Sequence, residues 1–324
     1  MDNILTIRDL KVAFQVKGKL AYALDGINID IPKGKIVGIV GESGCGKSMT
    51  AMSIMGLIKN PGKIVGGSID FCGTELTKMS VRDYAKIRGK DISMIFQEPM
   101  TSLNPVVKVG KQVMEAIILH EKISKEEAKM RVIEIFNEVG IPEAEKRFNS
   151  YPHELSGGLR QRVMIGMAMI CKPKLLIADE PTTALDVTIE AQILKLMKKL
   201  CESVGTSIIM ITHNMGVVAE ICDYVYVMYA GRVVESTLTK TLFNETAHPY
   251  TNGLLKSIPT IGKKQDRLYT IKGNVPNILN LPKGCRFVDR CDYAQDICFS
   301  SRPADEYIKD NHMVSCFLHK RIED

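Results

Sequence analysis

Residues 4–16 alternate apolar and polar positions, with Leu5, Ile7, Val12, Phe14 and Val16 among the apolar ones, and predict a strand. Tyr22 to Ile31 predicts a second strand, closed by the turn Pro32-Lys33-Gly34, so the opening reads as a small antiparallel layer. Ile36-Val-Gly-Ile-Val40 differs: it is apolar throughout and rich in β-branched residues, the pattern of a parallel strand buried on both faces. Ile64–Phe71, bracketed by glycines, and Asp91–Phe96, which delivers Gln97 at its end, predict two more strands. From about Val109 to Cys171 the pattern turns helical. Ser124, with Glu127 three residues on, predicts a capped start for a run to Val139 that Gly140 stops, and Ser156–Ile170 predicts another helix. Leu175–Ala178, Ser207–Thr212 and Tyr224–Met228 return to the buried-strand pattern, and a helix over Ile189–Cys201 makes the first two a βαβ unit. Beyond His248-Pro249-Tyr250 the periodicity fades into a Pro- and Gly-punctuated tail.

These elements predict an α/β protein: a parallel-sheet core, an antiparallel β layer, a helical subdomain inserted over about 98–172, and a small Cys-rich C-terminal domain. The predicted domains are 1–245 and 246–324. The 324 residues are enough for such a core. No stretch approaches the ~18 apolar residues of a membrane span, and the first residues lack the pattern of a signal peptide. The net charge of +6, from 43 basic and 37 acidic residues, suits anionic ligands or a membrane-facing surface but is too mild to argue for nucleic acid. A cytoplasmic enzyme is the expectation.

Gly41-Glu-Ser-Gly-Cys-Gly-Lys47-Ser48 fits G-x-x-x-x-G-K-[ST] between the Ile36–Val40 strand and a helical continuation from Met49. Phosphates must lie against bare backbone N–H groups, so glycines are required where a side chain would block them. Gly41, Ser43, Gly44, Cys45, Gly46, Lys47, Ser48 and Met49 are therefore candidate nucleotide-binding residues, with Lys47 reaching the β/γ-phosphates and Ser48 ligating Mg²⁺. Asp179 and Glu180 close the buried strand Leu175–Ala178, which assigns Asp179 to the Mg²⁺ shell and Glu180 to accepting a proton from the attacking water. Gln97 and His213 also follow strand ends, where open α/β sheets place ligands, and are candidates for Mg²⁺ or water and for the γ-phosphate. Ser156-Gly157-Gly158, at a helix start, is a second anion-binding turn. Two such turns suggest a dimer in which each nucleotide is gripped by both subunits.

In this order, the P-loop, Gln97, Leu155-Ser-Gly-Gly158, Asp179-Glu180, Ala184-Leu-Asp186 and His213 resemble the ATP-binding subunit of an ABC transporter, over roughly residues 4–235. The resemblance implies the ABC type of P-loop NTPase fold. It also implies ATP hydrolysis with Mg²⁺, γ-phosphate contacts in trans from Ser156 and Gly158, and coupling of the two sites through Asp186. It puts Phe14 beneath the adenine, with Tyr22 as the alternative. Leu159 departs from it, standing where many relatives have Gln. Gln97-Glu-Pro-Met-Thr-Ser-Leu-Asn-Pro105, Tyr151-Pro-His-Glu-Leu155, Ala247-His-Pro-Tyr-Thr251 and the cysteine tail are similar to the di- and oligopeptide importer branch, which has relatives serving nickel, glutathione and other solutes. That branch implies two transmembrane permease subunits, docked about residues 98–125, and a second, homologous ATPase subunit. It also implies an extracytoplasmic solute-binding protein, and a peripheral place on the cytoplasmic face of the membrane. A soluble ABC-type ATPase acting on nucleic acid or ribosomes is the alternative, and no nucleic-acid partner is expected.

Of nine cysteines, Cys45, Cys72, Cys171, Cys201 and Cys222 are scattered and read as small core residues. Cys285, Cys291, Cys298 and Cys316, spaced C-x₅-C-x₆-C-x₁₇-C, lie in a chain expected to be cytosolic, where structural disulfides are rare, and so suggest a metal. The spacing lacks paired zinc knuckles and admits either a [4Fe–4S] cluster or zinc. The resemblance favours the cluster, as a structural staple, and His312 and His319 lie close enough in sequence to substitute for a ligand.

Overall fold

In the computed structural model, the structure describes residues 2–16, 18–97, 102–183, 186–258 and 269–319. Residues 98–101 of the Gln97–Pro105 motif, and Ala184 and Leu185 before Asp186, lie outside them. The described strands are β1 Asn3–Val16, β2 Lys19–Pro32, β3 Ile36–Val40, β4 Gly62–Phe71, β5 Thr74–Glu75, β6 Ile92–Ile95, β7 Leu175–Asp179, β8 Ser207–Thr212, β9 Tyr224–Tyr229, β10 Arg232–Leu238, β11 Glu306–Lys309 and β12 His312–Val314. The chain forms two compact units, one of Met1–Ile4, Pro32–Lys35 and Met79–Met210, the other of Leu5–Ile31, Ile36–Lys78 and Ile211–Asp324.

In the first unit β6 and β7 pair in parallel, Ile92 opposite Leu175 and Ile95 opposite Ala178, with β8 following β7 in the sheet order. All residues of β7 and β8 are buried, as continuously apolar parallel strands require. The inserted helices Val109–Ile118, Lys125–Glu138 and Gly157–Met169 pack on one another around Val113, Ile117, Val132 and Phe136, all fully buried. Ser124 accepts the Glu127 N–H at 3.1 Å, so the predicted start of the second helix is where the structure has it. Gly110 lets Phe148 close the bundle: a Cβ there would lie 2.3 Å from the Phe148 ring.

The second unit holds an antiparallel sheet in the order β2-β1-β4-β5 and a further sheet segment in the order β11-β12-β10-β9-β3. β3 pairs in parallel with β9, and β10 runs antiparallel to β9 and to β12. The tail is thereby anchored by its last strand, with Val314 opposite Glu235. Among the described residues no helix is long and apolar enough to cross a membrane.

Candidate functional site

In the second unit, β3 ends directly at Gly41, and the helix Lys47–Ile54 begins after Gly46. Gly41 has φ +152°, and a Cβ on it would sit 2.2 Å from the Met228 carbonyl oxygen and 2.7 Å from Cys45 Sγ, so only glycine fits. Lys47 is buried and donates through Nζ to the carbonyls of Gly41 at 2.7 Å and Glu42 at 3.0 Å. Ser43, Gly44 and Ser48 are exposed, and Met49 is half-buried. Cys45 is fully buried, and burial raises its thiol pKa, so it is a packing residue and a poor nucleophile. In the antiparallel sheet Phe14 and Tyr22 are both half-buried, and a Cβ on Gly62 would meet the Phe14 ring at 2.7 Å. His213 follows β8, exposed, and Thr212 Oγ1 accepts the N–H of the next residue, Asn214, at 2.9 Å.

In the first unit Asp179 ends β7 buried, and Glu180 turns the chain with φ +47°, a left-handed conformation unusual for Glu. Glu180 Oε2 accepts from Gln97 Nε2 at 3.0 Å and from Thr183 Oγ1 at 3.1 Å. The structure thus brings together two residues assigned from separate strand ends. Gln161, fully buried, donates through Nε2 to the Pro181 carbonyl, tying the helix of the Ser-Gly-Gly turn to the Glu180 turn. Ser156 and Gly157 are exposed, and Ser156 caps the helix, accepting the Leu159 N–H at 3.4 Å. Gly158 packs near Ile189, whose side chain would approach an added Cβ to 3.3 Å. Asp186 precedes the helix Val187–Val204 as its N-cap, without a side-chain capping bond, and is exposed.

The C-terminal cysteines all line one cavity, with His248, Phe287, Val288 and Cys316's neighbour Phe317. Cys285 donates its N–H to the Cys298 carbonyl at 2.8 Å, and a Cβ on Gly284 would strike that same oxygen at 2.1 Å. Burial pushes the Cys316 thiol up to about 11. Among the described residues, however, no three His, Cys, Asp or Glu side chains are gathered closely enough to hold a metal ion. The expected iron–sulfur or zinc centre is therefore not shown: the thiols share a cavity without converging on one point. The histidines are engaged elsewhere. His312 Nε2 lies 2.9 Å from Glu235 Oε1, and His319 Nε2 lies 2.9 Å from the Ala247 carbonyl.

The tail also contributes what the sequence reading did not assign. Arg290 and Tyr250 both bond Glu42 of the glycine-rich loop. Tyr250 lies in the Ala247–Thr251 motif, which marked a branch but disclosed no contact.

A glycine-rich turn on a buried strand, with its lysine at a helix start, and an acid pair closing a second buried strand are the parts of a P-loop ATPase. The model of ABC transporters matches residues 24–183, and that of the oligopeptide/dipeptide transporter C-terminal region matches residues 234–298. The oligopeptide transport ATP-binding protein AppD of Bacillus subtilis is 52% identical over 99% of this chain and 98% of its own length. This chain belongs to the ABC transporter ATP-binding subunits, in their oligopeptide/dipeptide branch. OppD of Escherichia coli is 48% identical over 100% of this chain and 95% of its own. Among solved structures, the dimeric post-hydrolysis state of the ATP-binding cassette MJ0796, bound to ADP and Pi, shares 27% identity at a TM-score of 0.66. It covers 72% of this chain and 98% of its own.

Proposed function

We propose that the chain is the ATP-hydrolysing subunit of an importer of oligopeptides or dipeptides. Identity near one half, held from end to end with oligopeptide transport ATP-binding proteins and continuing through the C-terminal region, carries this reading. Residues 1–245 serve as the nucleotide-binding domain and 246–324 as the C-terminal domain of the branch. The partners are two transmembrane permease subunits, a second homologous ATPase subunit and, indirectly, an extracytoplasmic solute-binding protein. The work is done at the cytoplasmic face of the membrane.

The loop Gly41–Ser48, continued by Met49, binds the phosphates, and Phe14 carries the adenine, with Tyr22 as its alternative. Ser48, Gln97 and Asp179 would hold Mg²⁺, which when bound would supply neutralisation of developing phosphate charge. Lys47 exchanges its two carbonyl partners for phosphate oxygens when ATP arrives. Glu180 takes the proton of the attacking water, its carboxylate aimed by Gln97 and Thr183, and His213 contacts the γ-phosphate. Ser156, Gly157 and Gly158 complete the site across a dimer, whose closing and opening Asp186 couples. Leu159 leaves the capping Ser156 and both glycines in place.

Cys285, Cys291, Cys298 and Cys316 are the soft donor set that a [4Fe–4S] cluster or Zn²⁺ takes, and as four thiols on one cavity they fit such a group in kind. It would staple a segment too small to hold itself by its core. Anaerobically purified protein should carry about four irons and four sulfides per chain; one zinc would keep the staple and change the metal.

The test of function is uptake in cells lacking the chain. Uptake of labelled oligopeptides should fall to background while nickel and glutathione uptake persist; the reverse pattern would reassign the solute. Purified chain should hydrolyse MgATP.

A further inference from the structure

The C-terminal segment grips the phosphate-binding loop at one residue. The Glu42 backbone N–H donates to the Tyr250 hydroxyl at 2.8 Å, and its carboxylate takes both terminal nitrogens of Arg290, Nη1 to Oε2 at 2.6 Å and Nη2 to Oε1 at 2.9 Å. Arg290 is itself fixed. Nε donates to the Lys272 carbonyl at 2.8 Å, Nη1 also reaches the Tyr229 hydroxyl at 3.3 Å, and the side chain is only 5% exposed. Tyr229, Tyr250 and Phe287 pack ring against ring at 4.7, 5.2 and 5.4 Å, so both residues that hold Glu42 are set by one aromatic cluster. The short turn carrying Arg290, Val288–Arg290, lies between Cys285 and Cys291, both on the thiol cavity.

A loop with Gly41, Gly44 and Gly46 all at positive φ is costly to order, and whatever orders it beforehand tightens binding. A bidentate charged pair fixes direction as well as distance. We propose that Arg290, with Tyr250 as a second hold, is a positioning residue for nucleotide binding: by gripping Glu42, the C-terminal segment keeps the phosphate-binding loop in its receptive shape and so sets the affinity for MgATP. This rests on the reading of Gly41–Ser48 as the ATP site. Arg290 acts through Glu42 and needs no contact with the nucleotide.

The test is a double-mutant cycle on the full chain: wild type, Glu42→Gln, Arg290→Gln and both together. Each is measured for the dissociation constant of a fluorescent ATP analogue with Mg²⁺, for kcat and KM of hydrolysis, and for thermal midpoint. Each single change should weaken binding about tenfold and raise KM alike, and Arg290→Gln, which lies outside the loop, should hold kcat within about twofold. The double variant should be no weaker than the worse single one, since both delete the same contact. Arg290→Lys keeps the charge without the fork and should recover only part of the affinity. Unchanged affinity in Arg290→Gln, with or without a lowered midpoint, overturns the proposal, as does a double variant whose losses multiply. Should Arg290→Gln not fold, Glu42→Gln carries the affinity prediction by itself. A wild-type chain that binds no ATP would overturn the ATP-site reading, and this proposal with it.

Discussion

Gln97 Nε2 donates to Glu180 Oε2 at 3.0 Å, joining residues 83 apart in sequence at the ends of the parallel neighbours β6 and β7. Thr183 Oγ1 donates to the same oxygen at 3.1 Å. Glu180 is the proposed general base; such a base must be aimed before it is useful, and these donors fix its carboxylate. Glu180→Gln should therefore lower ATP turnover by about 10²-fold or more while binding persists. Size-exclusion in MgATP should show a trapped dimer; wild-type turnover by the variant would remove Glu180 from its role. Gln97→Ala, which spares the base, should lose less.

Lys47 is held by two carbonyls of its own loop, with Nζ 2.7 Å from Gly41 and 3.0 Å from Glu42. In the proposed ATP site those bonds would be traded for charged phosphate oxygens, the stronger kind of acceptor. Lys47→Ala should weaken MgATP at least about tenfold, one charge-assisted contact's worth, with little change in thermal midpoint. Equilibrium titration with a fluorescent ATP analogue measures it.

What was legible in the sequence is what local chemistry dictates. β3, β7 and β8 are buried along their whole length and so are written in apolar residues except at the ends of β7 and β8, while Ser124 and Ser156 stand where helices need capping. The glycines of the loop declare themselves because Gly41 has no room for a Cβ. What was hidden depends on distant partners. Arg290 and Glu42 are 248 residues apart, and each alone reads as an ordinary surface charge. β10 was hidden for a related reason: Glu235 within it is a charged residue with no exposure, made tolerable by His312 from β12. The cysteine spacing suggested a metal site; the four thiols line one cavity but are not gathered to hold a metal, because spacing carries no information on how closely the sulfurs approach.

Glu235 is a fully buried carboxylate with three partners. It meets His312 Nε2 at 2.9 Å and accepts the backbone N–H groups of Ala247 at 2.8 Å and His248 at 3.0 Å. It fastens β10, β12 and the start of the tail together. Glu235→Ala leaves two N–H groups and an imidazole buried without acceptors, and should cost about 3–5 kcal/mol of unfolding free energy. Glu235→Gln, which keeps an acceptor, should cost clearly less. Urea denaturation followed by far-UV circular dichroism separates them.

His248 supplies a pH dependence whose sign can be worked out. It is 2% exposed, its Nδ1 accepts the Tyr250 N–H at 3.0 Å, and burial, with a smaller contribution from nearby His319, pushes its pKa down to about 3. The folded chain therefore holds it neutral, whereas the unfolded chain protonates it near the ordinary value of about 6.5. Its contribution is fully present above about pH 6.5 and is lost as pH falls from there toward 3, because the unfolded state then binds a proton the folded state refuses. The slope is about 1.4 kcal/mol per pH unit for one such group. His248→Asn offers the Tyr250 N–H an oxygen acceptor and removes the titration. Between about pH 6 and 4.5 its unfolding free energy should fall less steeply than that of the wild type by about that slope, however much stability the substitution costs at neutral pH. Equal slopes in urea titrations across that range would show that the proton is taken up elsewhere.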